Sequence, residues 1–144
     1  MTAPYQIIEK TVQIRPEQVR GGHVNNSFYF IYANEAFTDW YAALGFDNPA
    51  EPVSGPMTAH LELDFMHELT YPGAVLCRLT VVRVGRSSLE HSIELFAGDA
   101  NGPLAARGKA VNVWFDRDLA RTAAWPADIL RLVWDEAAPV AQQA

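Results

Sequence analysis

The sequence predicts an α+β fold in which one antiparallel sheet covers a single long helix. Three observations carry this. The stretch Ser27–Leu44 is apolar around most of a helical circumference, four later stretches are rich in β-favouring residues, and short turn signals separate those four. Such spacing suits antiparallel neighbours joined by tight connections. One strand precedes the helix and four follow, so one sheet face is left to cover it, which is a layered α+β arrangement.

The first strand is Tyr5–Ile14. Val12 and Ile14 alternate with Thr11 and Gln13, the period of two that marks a half-buried strand. Pro16 stops that ladder because it has no N–H to donate. Glu17–Val24 then reads as a loop, and the adjacent Gly21 and Gly22 permit a sharp backbone path.

Asn25 and Asn26 stand immediately before the helix and suit its N-terminus. Phe28, Ile31, Tyr32, Phe37, Trp40, Tyr41 and Leu44 cover most of its surface, interrupted only by Asn34, Glu35, Thr38 and Asp39. A helix this apolar is expected to be enclosed. Its Trp and Tyr residues follow the helical period and read as core. Gly45 is a suitable C-terminal stop.

A Pro-rich turn, Asn48–Pro56, leads to strands at Thr58–Met66, Ala74–Val84, Ser88–Gly98 and Leu104–Phe115. Ile93, Leu95, Val111 and Val113 are typical strand residues. Tyr71-Pro72-Gly73, Gly85-Arg86-Ser87 and Asp99–Pro103 supply the turns. Pro126 opens a short helix, Ala127–Trp134, at a tolerated first-turn position.

With 144 residues, 49% hydrophobic and 19% charged, the chain reads as one domain, 1–144, with its core at about 5–116 and a short helix and tail at 126–144. The net charge is −6 and the Lys and Arg residues are scattered, which argues against nucleic acid. A local patch can still hold an anionic ligand. A single cysteine, Cys77, excludes a disulfide within the chain and reads as a small buried hydrophobe. His60, His67 and His91 share no ligand spacing, so no metal is expected. Met1–Lys10 lacks the pattern of a signal peptide, and no apolar run is long enough to span a bilayer. The expectation is a soluble cytoplasmic protein.

The segment Gly22-His23-Val24-Asn25-Asn26 before a strongly apolar helix resembles the hotdog-fold acyl-CoA thioesterases of the 4-hydroxybenzoyl-CoA thioesterase type. The similarity runs on through Tyr29 to Gly45. It resumes at Leu61–Phe65, at Tyr71-Pro72-Gly73 and at Val82–Leu89, and closes with Ala105–Phe115. The resemblance implies a hotdog fold, an antiparallel sheet wrapped around one long central helix. It also implies pairing into homodimers, or dimers of dimers, and hydrolysis of an acyl thioester of coenzyme A or acyl-carrier protein. Coenzyme A would enter as part of the substrate, with no separate cofactor.

A helix start presents unpaired N–H groups and a positive dipole end, which stabilise a thioester oxygen as it becomes negative. A nearby carboxylate can then attack the carbonyl or activate water. The resembling family carries D-x-D-x-x-G before the helix, and those two acidic positions are Glu17 and Val19 here; the usual catalytic acid is thus a valine. Another branch places its acid about a third of the way along the helix, where Asn34 stands with Glu35 beside it.

Glu17 is therefore a candidate general base, against the alternative of a solvated loop carboxylate. Glu35 is a second candidate, whose pKa would rise if it were buried. The alternative for Glu35 is a structural residue with a hydrogen-bond partner. His23 could position substrate or water, or simply shape the loop. The backbone N–H of Asn26 is the oxyanion donor to expect. Arg83, Arg86, Ser87 and Ser88 match the region where the family holds coenzyme A phosphates, and Arg suits phosphate geometry; the alternative is an ordinary polar hairpin. Three functions follow: a thioesterase, a non-catalytic acyl-thioester binder lacking the acid, and a dehydratase or hydratase on the same fold.

Overall fold

The structure, a computed structural model, describes residues 3–47, 50 and 52–135. Strand β1 (Ile7–Gln13) leads through a single 3-10 turn (Pro16–Gln18) into a small hairpin of β2 (Val19–Arg20) and β3 (His23–Val24). Helix α1 (Asn26–Ala43) follows. Then come β4 (Gly55–Phe65), β5 (Ala74–Val84), β6 (Ser88–Ala97), β7 (Leu104–Asp116), β8 (Arg121–Ala123) and helix α2 (Ala127–Val133).

The main sheet is antiparallel in the order β1-β5-β6-β7-β4, with β8 paired to the end of β7. It curves around α1, which is the hotdog arrangement. The alternation expected of a one-sided sheet is present. Val75, Cys77, Leu79 and Val81 of β5, and Leu89, His91, Ile93 and Leu95 of β6, are buried in the core with α1. The far face is mixed, with Leu76, Val82 and Phe96 beside a charged row. Across it, Asp64, Arg107, Glu94, Arg78 and Glu9 stand in register on five strands with alternating sign. Arg78 reaches Glu9 at 2.7 Å and Glu94 at 3.6 Å. Opposite charges on directly facing strand positions favour this register.

α1 buries Tyr29, Tyr32, Ala33, Ala36, Phe37 and Trp40. The expectation of a helix enclosed all round is corrected: Ile31, Asn34, Glu35 and Thr38 are exposed, because the sheet closes over only part of the circumference. The expected loop Glu17–Val24 is also more ordered than its composition suggests, since it holds the β2–β3 hairpin. Gly21 and Gly22 form its two-residue turn with φ of 65° and 86°, the left-handed pair that such a turn requires. β8 is an additional strand. Asn48, Pro49 and Glu51 of the Pro-rich turn, and the tail beyond Ala137, lie outside the described residues.

The β8–α2 segment is anchored by Trp125. Its ring lies 6.2 Å from Trp40 and 5.4 Å from Trp114, and its indole N–H donates to the Ser87 carbonyl. On the other side of β7, Gly108 admits β4 at close range: a Cβ there would stand 1.8 Å from the Glu62 carbonyl oxygen.

Candidate active site

The start of α1 is capped by Asn25, whose backbone is extended and whose Oδ1 accepts from the Ser27 N–H at 2.9 Å and the Ser27 hydroxyl at 2.8 Å. The N–H of Asn25 in turn donates to the Gln18 carbonyl. Asn26 is the first helical residue, and its N–H has no acceptor among the described residues. It is therefore available at the positive end of the helix.

Gln18 ties this corner together. Its Oε1 accepts from the Arg15 N–H at 3.0 Å and from the Tyr32 hydroxyl at 2.7 Å. Burial, and secondarily the neighbouring Tyr29, push Tyr32 up to about 12, so its hydroxyl keeps the proton it donates. The Gln18 side chain is thus fixed from two sides.

α1 runs antiparallel to β1, and a cleft of about 560 Å³ opens between them. Glu17 enters it from the 3-10 turn and Glu35 from the helix. Lys10, Gln18, Phe28, Ile31 and Tyr32 share its walls. Lys10 is paired with Asp39 at 3.2 Å. Glu17 and Glu35, eighteen positions apart in the chain, are thereby brought to one cavity. Glu35 is exposed at the cleft and is not the buried carboxylate that an apolar helix could have enclosed. Lys10, Gln18 and Tyr32 carried no chemical signal in the sequence; only the packing of α1 on β1 gathers them.

Val19 does not face this chemistry. It is half-buried against the core and pairs with Val24 across the hairpin. Asn34 lies on the opposite flank of α1 from Glu35. The same stripe of the helix carries Phe30, which meets Phe65 edge-on, and Tyr41, which bonds Thr58, so this flank faces β4. His23 is exposed on the hairpin beside Arg20.

Arg83, Arg86, Ser87 and Ser88 sit at the β5–β6 hairpin. Both arginines are exposed, while the Ser87 carbonyl accepts from Trp114 and Trp125 and the Ser88 carbonyl from Gly85. This hairpin lies at the far end of β5 from Ala74, the residue that pairs with Gln13 next to the Glu17 turn. An eleven-residue strand separates the two groups by about 30 Å.

A polar cluster in the core was not legible in the sequence. Asn112 bonds His91 Nδ1 at 3.2 Å, and its Oδ1 accepts from Tyr41 and Thr58 at 2.9 Å each. His91 is fully buried and packs edge-on against Phe37 and Trp40, and burial pushes it down to about 3. Its Nε2 has no partner among the described residues. Cys77 is buried as expected, and burial pushes its thiol up to about 12, where it is unreactive. Among the described residues, no helix is long and apolar enough to cross a membrane.

Residues 15–133 match the model of a family described as the thioesterase-like superfamily. Among solved structures, the PA2801 protein of Pseudomonas aeruginosa is 26% identical, with 85% of this chain and 94% of that chain covered and a TM-score of 0.77. A thioesterase from Thermus thermophilus, solved with coenzyme A and Zn, is 25% identical over 88% of this chain and 91% of that one, with a TM-score of 0.74. Slr0204, a 1,4-dihydroxy-2-naphthoyl-CoA thioesterase from Synechocystis, shares the fold at 16% identity, 92% and 99% coverage and a TM-score of 0.76. No curated protein matches this chain.

Proposed function

Because the chain belongs to the thioesterase-like superfamily, we propose that it hydrolyses acyl thioesters of coenzyme A or acyl-carrier protein to a free acid and a thiol. The observation that carries this reading is the convergence of Glu17 and Glu35 on one cleft beside the capped start of α1. In the proposed reaction a carboxylate, Glu17 first, takes a proton from water. The resulting hydroxide attacks the thioester carbon. The oxygen becomes negative and is met by the Asn26 N–H at the positive helix end. The C–S bond then breaks, and the proton held by the carboxyl goes to the departing sulfur. His23, on the adjoining hairpin, would orient the water or the substrate.

Coenzyme A phosphates would be held by Arg83 and Arg86, supported by Ser87 and Ser88. The reach of the substrate limits how. Its arm from sulfur to the first phosphate has about thirteen bonds and spans on the order of 15 Å when extended. The two ends of β5 are about twice that distance apart. The arginine hairpin would therefore serve the cleft of a partner chain, which fits a homodimer or dimer of dimers with shared sites.

Val19 and Asn34, standing at both positions where the resembling family carries its acid, favour a second reading: an acyl-thioester binder without hydrolysis. A screen of purified protein against short, long and aromatic acyl-CoAs, following both thiol release and binding, tests the two. Thiol release supports the hydrolase, and binding without release supports the binder.

A further inference from the structure

The two bonds that fix Gln18 also decide which way its amide faces. Oε1 accepts from the Arg15 N–H at 3.0 Å and from the Tyr32 hydroxyl at 2.7 Å. A backbone N–H can only donate, so the atom it meets is the oxygen and the amide cannot be turned end for end. Both lone pairs of Oε1 are taken by these two donors. Nε2 is left on the other side with two N–H groups and no acceptor among the described residues. Among the described residues that are not themselves exposed, His91 Nε2 is the one enclosed side-chain atom without a partner. Gln18 is half-buried, so its Nε2 reaches solvent as an unused donor.

That solvent is the cleft, which Gln18 lines together with Glu17, the preceding residue of the same 3-10 turn. Their Cα atoms are about 3.8 Å apart. A single water bonded to both side chains bridges up to about 5.6 Å, two hydrogen bonds of about 2.8 Å. The Gln18 carbonyl accepts from the Asn25 N–H at 3.1 Å, which sets the turn beside the helix start. The other charged groups of the cleft are Lys10, Arg15 and Glu35, so two cations face two carboxylates and the space is close to neutral.

We propose that Gln18 is a catalytic residue that holds the attacking water, one Nε2–H donating to the water oxygen while Glu17 accepts one of its O–H groups. This rests on the hydrolase reading of the cleft. One proton of the water goes to Glu17. One lone pair is held by Gln18, and the other forms the bond to the thioester carbon. The C–S bond then breaks, and the sulfur takes the proton from Glu17. Tyr32 and the main chain of Arg15 act through Gln18 as positioning groups, because they stop the amide from turning.

Gln18→Glu separates this role from a structural one. It keeps an oxygen for the Arg15 N–H and the Tyr32 hydroxyl, and exchanges the N–H donor for a second oxygen. For an acyl-CoA, kcat is expected to fall about 10- to 100-fold, the scale of a misplaced reactant, with KM and melting temperature retained. A second carboxylate beside Glu17 makes both harder to ionise, so the acid limb of the kcat profile should move to higher pH. A role confined to tying the corner would leave kcat and the limb in place, because both ties survive. Tyr32→Phe frees one side of the amide and should lower kcat by a smaller factor with KM retained. It carries the test if Gln18→Glu does not fold. Independently of turnover, the Gln18 side-chain N–H signals should show NMR cross-relaxation to a long-lived water in the parent protein.

An unchanged or higher kcat in Gln18→Glu overturns the proposal and leaves hydrolysis standing. Absence of the long-lived water overturns it as well. No thiol release from any thioester, with that water present, removes hydrolysis and the catalytic role together, while the water site stands.

Discussion

Glu17 and Glu35 approach the cleft from different elements, so each can be removed without disturbing the other. Glu17→Gln is expected to lower turnover by about 10²–10⁴, the usual loss on removing a general base. Glu35→Gln should fall in the same direction by a smaller factor, and circular dichroism should show both folded. Val19→Asp should leave thiol release unchanged, because position 19 packs against the core and not into the cleft, and should lower the melting temperature by removing a half-buried apolar contact. His91 gives a separate expectation. Its folded pKa lies below the unfolded value of about 6.5. The unfolded chain therefore binds a proton first as pH drops. Stability should be full above about pH 6.5 and fall toward pH 3 by about 1 kcal/mol per pH unit from this group. Denaturant unfolding at several pH values, compared with His91→Gln, isolates that slope. The sequence reveals each of these side chains as a type but not its surroundings. Glu35 is a candidate for burial on an apolar helix, and only the partial closure of the sheet shows it in solvent.

Helix α1 and the long strands were legible to within a few residues, because Asn25, Gly45, Gly73, Gly85 and Gly102 punctuate them and the periods between are strong. The short pieces were not. Arg121–Ala123 has no apolar alternation, and β8 exists because β7 outruns β6 and leaves a free edge to pair. The meeting of β1 with the first half of α1 was hidden for a similar reason, since nothing local encodes which flank of a helix a distant strand takes. Two substitutions test these elements. Asn25→Ala should cost about 1 kcal/mol by removing the cap, read as a drop in thermal midpoint. Gly108→Ala should cost more, because the added carbon meets the Glu62 backbone and must push β4 from β7. Faster amide exchange along β4 would show that displacement.

Assembly and ligand charge belong to the molecule as a unit. Both edge strands are open among the described residues, and β4 exposes Met57 and Phe65. Light scattering at micromolar concentration should show at least a dimer, and a monomer alone would remove the shared site. Coenzyme A binding should weaken as salt rises, because exposed charge pairs are screened. Arg86→Ala should lower the affinity with little change in folding. Salt-independent binding would detach the β5–β6 hairpin from the phosphates. The seating of Trp125 between Trp40 and Trp114 has an optical consequence. Indoles this close exchange excitation before they emit, so three of the chain's four tryptophans report on one place. That place is the dock between the C-terminal segment and the central helix. A red shift in emission ahead of the loss of strand signal would therefore mean that this segment peels away first, while the rest of the sheet still holds.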